Sequence, residues 1–296
     1  MKPLLERIGA GEIIVCDGAW GTTIQSGPGY EKCPEEVNLS DPEFLTATAA
    51  AFIEAGAEIV TTNTFGGSPL KLAPAGLDER TAEINERAVQ AARAAAGEQV
   101  LVAGSCGPSG KLLVTGDVSP EDLEENFERQ MTSLAEAGAD LFIIETMTDL
   151  IEATIAVRTA RRIAPEKPVV ATMTFDPTPQ GFRTIMGVSI EESITRLLEA
   201  GADIIGSNCG HGMITLIEVA RDFGRLTDAP LIIQPNAGIP SLEDEGVVYP
   251  ETPEAFAAGV PDLLAAGVAI IGGCCGSTPA HIRALSEAVR ARSGAA

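Results

Sequence analysis

Short apolar runs recur along the chain at a regular interval, and four of them open with the same phrase. It reads EAGAEIV from Glu54, EAGADLF from Glu136, EAGADII from Glu199 and AAGVAII from Ala265. A glycine just past a helix takes the left-handed conformation that ends it, and the short apolar run behind it reads as a buried strand. The phrase therefore marks helix-to-strand junctions. Collecting every apolar run bounded by turn residues predicts eight strands, at Ile13–Asp17, Glu58–Asn63, Val100–Ser105, Asp140–Glu145, Pro168–Phe175, Asp203–Asn208, Pro230–Pro235 and Val268–Gly273.

Helical stretches follow the strands, and several carry start signals. Ser40 with Glu43, Ser119 with Asp122 and Ser189 with Glu192 have capping-box spacing or its Asp variant, while Thr252-Pro253 and Thr278-Pro279 place a cap before proline at the first helical position. Eight βα units in 296 residues predict an α/β fold of the (β/α)8 TIM-barrel type, as one domain over residues 1–296. An open sheet binding a nucleotide would need a glycine-rich phosphate loop directly after a strand. The nearest segment, GSCGPSGK from Gly104, has the wrong spacing and contains a proline.

Composition narrows the reading further. Aromatics are only 4% of the chain, so the core has to be built from Ala, Val, Ile and Leu. The 42 acidic against 20 basic residues give a formal charge of −22, which disfavours nucleic acid and anionic membranes as partners. Glu6 and Arg7 interrupt the first apolar stretch, so no signal-peptide core is expected there. A cytoplasmic location follows, and in a reducing compartment the six cysteines are thiols or ligands.

Active sites of such barrels form where strands end at the C-terminal rim. Three cysteines lie on two of those tips, Cys209 after the sixth strand and Cys274 with Cys275 after the eighth. Three thiolates with one vacant position suit a catalytic zinc ion, and Gly272, Gly273 and Gly276 give the adjacent pair its backbone freedom. A vicinal redox disulfide is the competing reading. Cys16, Cys33 and Cys106 are read as small core residues, His211 as a helix-start residue satisfied by backbone, and His281 as surface. Asp17 and Glu145 end strands one and four, too far apart across the rim to share a proton but suited to hold an ammonium group between them. The glycine-rich turn Asp17-Gly18-Ala19-Trp20-Gly21 offers N–H groups to a carboxylate. The plainer alternative makes Asp17 a turn residue and Glu145 a helix cap.

These same segments, DGAWGT, TTNTF, IET, GSNCG, QPNAG and GGCCGSTPAHI, resemble the homocysteine S-methyltransferase family over residues 17–282. That family includes the homocysteine-binding module of cobalamin-dependent methionine synthase and betaine-homocysteine methyltransferase. The resemblance implies zinc held by Cys209, Cys274 and Cys275, with homocysteine bound through sulfur as a thiolate and methylated to methionine. It also implies that Asp17, Glu145 and the backbone of Gly18, Ala19 and Trp20 hold the substrate's amino and carboxyl groups, and it makes Asn236 the nominee to fill the vacant zinc position without substrate. The folate and cobalamin domains of full-length methionine synthase are absent from these 296 residues. The expected methyl donor is methylcobalamin on a separate corrinoid protein, with S-methylmethionine, S-adenosylmethionine or a betaine-type compound as alternatives. Another thiol or selenol acceptor, or a redox or zinc-carrier module, are the other readings.

Overall fold

The structure, a computed structural model, describes residues 2–243 and 246–293. Eight parallel strands run in the predicted order: β1 (Ile14–Val15), β2 (Ile59–Thr61), β3 (Leu101–Cys106), β4 (Leu141–Met147), β5 (Val169–Met173), β6 (Ile204–Asn208), β7 (Leu231–Gln234) and β8 (Val268–Ile271). Each pairs with the next, and β8 returns to β1 through Ile14 opposite Ile270. The Cys16–Ile59 bridge joins β1 to β2, where Glu58 N–H donates to Val15 O at 2.7 Å and Asp17 N–H to Ile59 O at 3.0 Å. The ring is a (β/α)8 barrel.

The helices that cover it are α1 (Pro42–Glu54), α2 (Thr81–Ala96), α3 (Pro120–Glu136), α4 (Leu150–Ile163), α5 (Ile190–Ala200), α6 (Met213–Leu226), α7 (Val260–Ala265) and α8 (Pro279–Ser293). All four glycines of the recurring phrase take positive φ: Gly56 at 107°, Gly138 at 96°, Gly201 at 109° and Gly267 at 84°. A side chain there would be strained, which is why the phrase repeats. Among the described residues no helix is long and apolar enough to cross a membrane.

Side-chain alternation divides the core in two. Ile14, Leu141, Ile143, Ile232 and Ile270 fill the barrel interior, together with Leu4 of the N-terminal helix Leu4–Gly9, while Val15, Phe142 and Ile144 face the helices. Cys16 joins the interior cluster and Cys106 the outer one, both fully buried. On β6 the interior leaves no room at Gly206, where an added β-carbon would collide with the Ile232 carbonyl. Gly206→Ala is therefore expected to cost about 3 kcal/mol or more of stability, measured by denaturant unfolding.

Three of the expected caps form and one does not. Ser119 and Asp122 form a capping box, Ser189 Oγ accepts from Glu192 N–H, and Thr252 accepts from Ala255 N–H. Ser40 does not cap α1: it ends the short helix Val37–Ser40, and its hydroxyl donates to Glu36 O. Asp41 caps instead, accepting from Phe44 N–H at 3.1 Å, because Pro42 takes the first helical position. Two rim hairpins, Asp176–Thr178 with Gly181–Arg183 and Ser241–Glu243 with Gly246–Val248, were not expected from the apolar pattern. They are short and bury little against the barrel.

Candidate functional site

The barrel topology sets the tips of β6 and β8 either side of β7, and backbone hydrogen bonds lock both tips. Cys209 takes φ 63°, a left-handed conformation costing about 1–3 kcal/mol for a residue with a side chain. It is held there by its N–H to Gln234 O (3.1 Å) and by His211 N–H to its carbonyl (2.8 Å). The turn after β8 is tied to three neighbours: Gly273 N–H donates to Asp17 O (2.9 Å), Cys274 N–H to Pro235 O (2.7 Å), and Ala237 N–H to Cys275 O (2.9 Å). Gly276 sits at φ 80° beneath the Tyr249 ring, where no side chain would fit.

This framework gathers the three predicted sulfurs, all within 4.8 Å of one another, with 3.8 Å between Cys209 Sγ and Cys275 Sγ. None forms a disulfide. Tetrahedral zinc with bonds of about 2.3 Å would separate two thiolate sulfurs by about 3.8 Å, so this donor set fits the ion in both chemistry and spacing. Hydrogen bonds from Cys209 and Cys274 pull the Cys275 thiol down to about 3, against burial and with help from Tyr249. Donating in this way raises the Cys274 thiol. Cys209 is likewise raised, to about 11, so the cluster without an ion concentrates its negative charge on Cys275.

Asn236 Oδ1 is buried without a hydrogen-bond partner, one residue before the Ala237 N–H that ties to Cys275. An orphaned acceptor of this kind costs about 1–3 kcal/mol, which a nearby cation would relieve. Asn236 is nevertheless absent from the wall of the cavity described next.

Below the sulfurs lies a cavity of about 390 Å³ that brings together Asp17, Gly18, Ala19, Trp20, Glu145 and all three cysteines. Asp17 is 1% exposed, and its carboxylate accepts from Trp20 Nε1 (2.8 Å) and Thr61 N–H (2.7 Å). Burial raises its pKa to about 6 despite these donors. Glu145 is half-buried and accepts from Ser105 Oγ at 2.5 Å and Asn208 Nδ2 at 3.3 Å. Burial lifts it to about 7, Ser105 opposes the rise, and the negative charges of Asp17 and Cys275 add to it.

The two carboxylates thus border one cavity. Among the described residues lining it there is no Lys, Arg or His, so an incoming cation would be their counter-charge. The helix-cap reading of Glu145 does not hold, since Asp149 caps α4 by accepting from Ile151 and Glu152 N–H. The Ala19 N–H already donates to Ser277 O at 3.2 Å.

Both histidines depart from expectation. His211 Nε2 pairs with Asp176 Oδ1 of the first rim hairpin at 2.9 Å rather than with backbone. His281 is buried at 7% exposure: its Nδ1 accepts from Thr278 N–H (3.2 Å), and its Nε2 donates to Glu251 O (2.9 Å). It is a reciprocal cap for α8.

Five further residues shape the site: Thr61, Ser105, Asn208, Tyr249 and Glu35, whose Oε1 accepts from Gly66 N–H at 2.6 Å on the cavity wall. Asn208 and Ser105 stand at strand ends and were legible as rim positions. Tyr249 and Glu35 arrive from loops, and no spacing rule marks them.

A sequence profile described as homocysteine S-methyltransferase matches residues 14–289. Methionine synthase of Mycobacterium tuberculosis is 32% identical over 295 residues, covering 94% of this chain and 24% of that protein. Methionine synthase of Mycobacterium leprae is 31% identical, covering 97% of this chain and 25% of its own length. The chain therefore spans about a quarter of these relatives. Among solved structures, the metallated form of the homocysteine methyltransferase MmuM from Escherichia coli superimposes with a TM-score of 0.79 at 25% identity, covering 97% of this chain and 99% of that one. Its oxidized form gives 0.79 at 26% identity, covering 99% and 100%.

Proposed function

The chain belongs to the homocysteine S-methyltransferase family, and from that premise we propose that it methylates homocysteine to methionine at the sulfur cluster above the cavity. One observation carries the reading: three cysteine sulfurs spaced for a single ion stand over a pocket whose ionisable walls are carboxylates. Cys209, Cys274 and Cys275 would hold zinc, which when bound lowers the pKa of a thiol reaching its fourth position so that the sulfur is nucleophilic at neutral pH.

The chain's own residues do the rest. Asp17 and Glu145 grip the substrate's ammonium group, and its arrival offsets the burial that raises their pKa values to about 6 and about 7. Trp20 and Thr61 fix Asp17, while Ser105 and Asn208 fix Glu145, so the substrate's amino end is anchored to rigid strand ends. With the amino end fixed, the sulfur is confined beneath the cysteines and presents a lone pair to the methyl donor. The gain is positional, and the transfer itself needs no general base.

For the donor we take methylcobalamin carried by a partner protein or domain, supported by likeness to the methionine synthases. The test supplies zinc-loaded protein and homocysteine with free methylcobalamin, S-methylmethionine, S-adenosylmethionine or betaine in turn. Methionine is expected from methylcobalamin. Methionine formed solely from a sulfonium or betaine donor would reassign the donor, and none from any of them would overturn the activity.

A further inference from the structure

Asn208, at the end of β6, is fully buried, and its amide meets four residues at once, from β4, β5 and the turn after β8. Its Oδ1 accepts from Thr146 N–H at 2.8 Å and from Thr172 Oγ1 at 2.7 Å. A backbone N–H can only donate, so the atom facing Thr146 N must be the oxygen, and the orientation of the amide is fixed. The opposite edge, Nδ2, then faces Thr146 Oγ1 at 2.8 Å, Glu145 Oε2 at 3.3 Å and Cys274 Sγ at 3.7 Å. Thr146 sits at φ 60°, a strained conformation in which both its N–H and its hydroxyl engage the same amide.

The placement has an electrostatic sense. The Glu145 carboxylate and the Cys274 sulfur are both negative when the site works, and like charges in a buried wall repel. Nδ2 stands between them with two hydrogens, one directed at Thr146 Oγ1 and the other facing both the carboxylate and the sulfur. We infer that Asn208 is a positioning residue that ties the carboxylate gripping the amino end to the sulfur cluster receiving the thiol end, and so matches the site to a thiol carrying an α-amino group. The inference rests on the reading of the site given above. It assigns to Asn208 a selectivity role that neither the cysteines nor Glu145 supplies alone.

Two measurements test it on the full chain. With cadmium-113 at the cysteines and nitrogen-15 asparagine, one Asn208 side-chain proton is expected to show scalar coupling to the metal through the N–H···S bond. Absence of that coupling in a protein holding one metal per chain overturns the inference. Asn208→Asp keeps an acceptor for Thr146 and Thr172, so the fold is expected to survive while the donors facing Glu145 and Cys274 are lost. Its kcat/KM for homocysteine is expected to fall about tenfold or more, the range for a residue standing behind a metal site, and to fall far less for a propyl thiol lacking the amino group. Equal losses for both thiols would reduce Asn208 to a structural role and overturn the inference. A wild-type protein that binds no metal at the cysteines, or methylates no thiol, overturns the underlying reading as well, and the wild-type arm reports this separately.

Discussion

Cys274→Ala is expected to purify with almost no zinc and to lose methyl transfer by at least about 100-fold, because even residues behind a metal's ligands cost 10–100-fold when replaced. The reason is geometric as well as electronic. Cys274 is held by its N–H to Pro235 O and by Ser277 N–H and Oγ to its carbonyl, which fixes its backbone at the rim and leaves its sulfur within 4.8 Å of both partners. Those restraints belong to the backbone and to Ser277, and the alanine variant keeps them. Its thermal midpoint without metal should therefore stay close to that of metal-free wild type. Elemental analysis alongside the methionine assay checks the prediction, and activity that outlives the metal would contradict it.

Glu145→Gln should act on binding and spare turnover. A hydrogen bond to a charged partner is worth about 1.5–3 kcal/mol, so removing the negative charge should raise KM for homocysteine roughly 10- to 100-fold while kcat changes little. The pH dependence follows from the raised pKa values. Below about 6 both Asp17 and Glu145 of the empty site are protonated and grip an ammonium poorly, and as pH rises through about 7 they ionise and binding tightens. The variant should lose the Glu145 part of that rise.

Stability runs the other way. A carboxyl whose folded pKa is raised contributes stability below its unfolded pKa, near 4.5 for Glu145, and that stability is lost as pH climbs through about 7. Glu145→Gln should therefore match wild type at pH 4 and exceed it in thermal midpoint at pH 8. Parallel KM and melting series across this range would test both signs. A variant that loses stability at pH 8 would show that Glu145 is held by something other than the solvent-starved wall described above.

What could be read from the letters was local, and what could not was assembled across the barrel. The helix-end glycines at 56, 138, 201 and 267 announced themselves because left-handed φ is a single-residue demand. The cysteine tips were legible because a short strand followed by glycine fixes where a rim lies. The cap of α1 was misread at Ser40 although Asp41-Pro42 held the answer, since proline at the first helical position names the residue before it as the cap. His281 reads as surface from its polarity alone, yet its ring nitrogens are claimed by Thr278 and by Glu251, which lies 30 residues away. Asn208 shows the limit most plainly. Its neighbours Glu145, Thr146, Thr172 and Cys274 lie 36 to 66 residues away, so only closure of the barrel puts them around one amide.

Everything turns on whether the three cysteine sulfurs share one ion with the substrate's sulfur. X-ray absorption at the zinc edge counts those sulfurs directly. The count is expected to be three in the protein alone and four once homocysteine is saturating, with loss of a lighter oxygen or nitrogen neighbour. A count that stays at three with homocysteine bound, or a metal without three sulfur neighbours at the outset, would contradict the account.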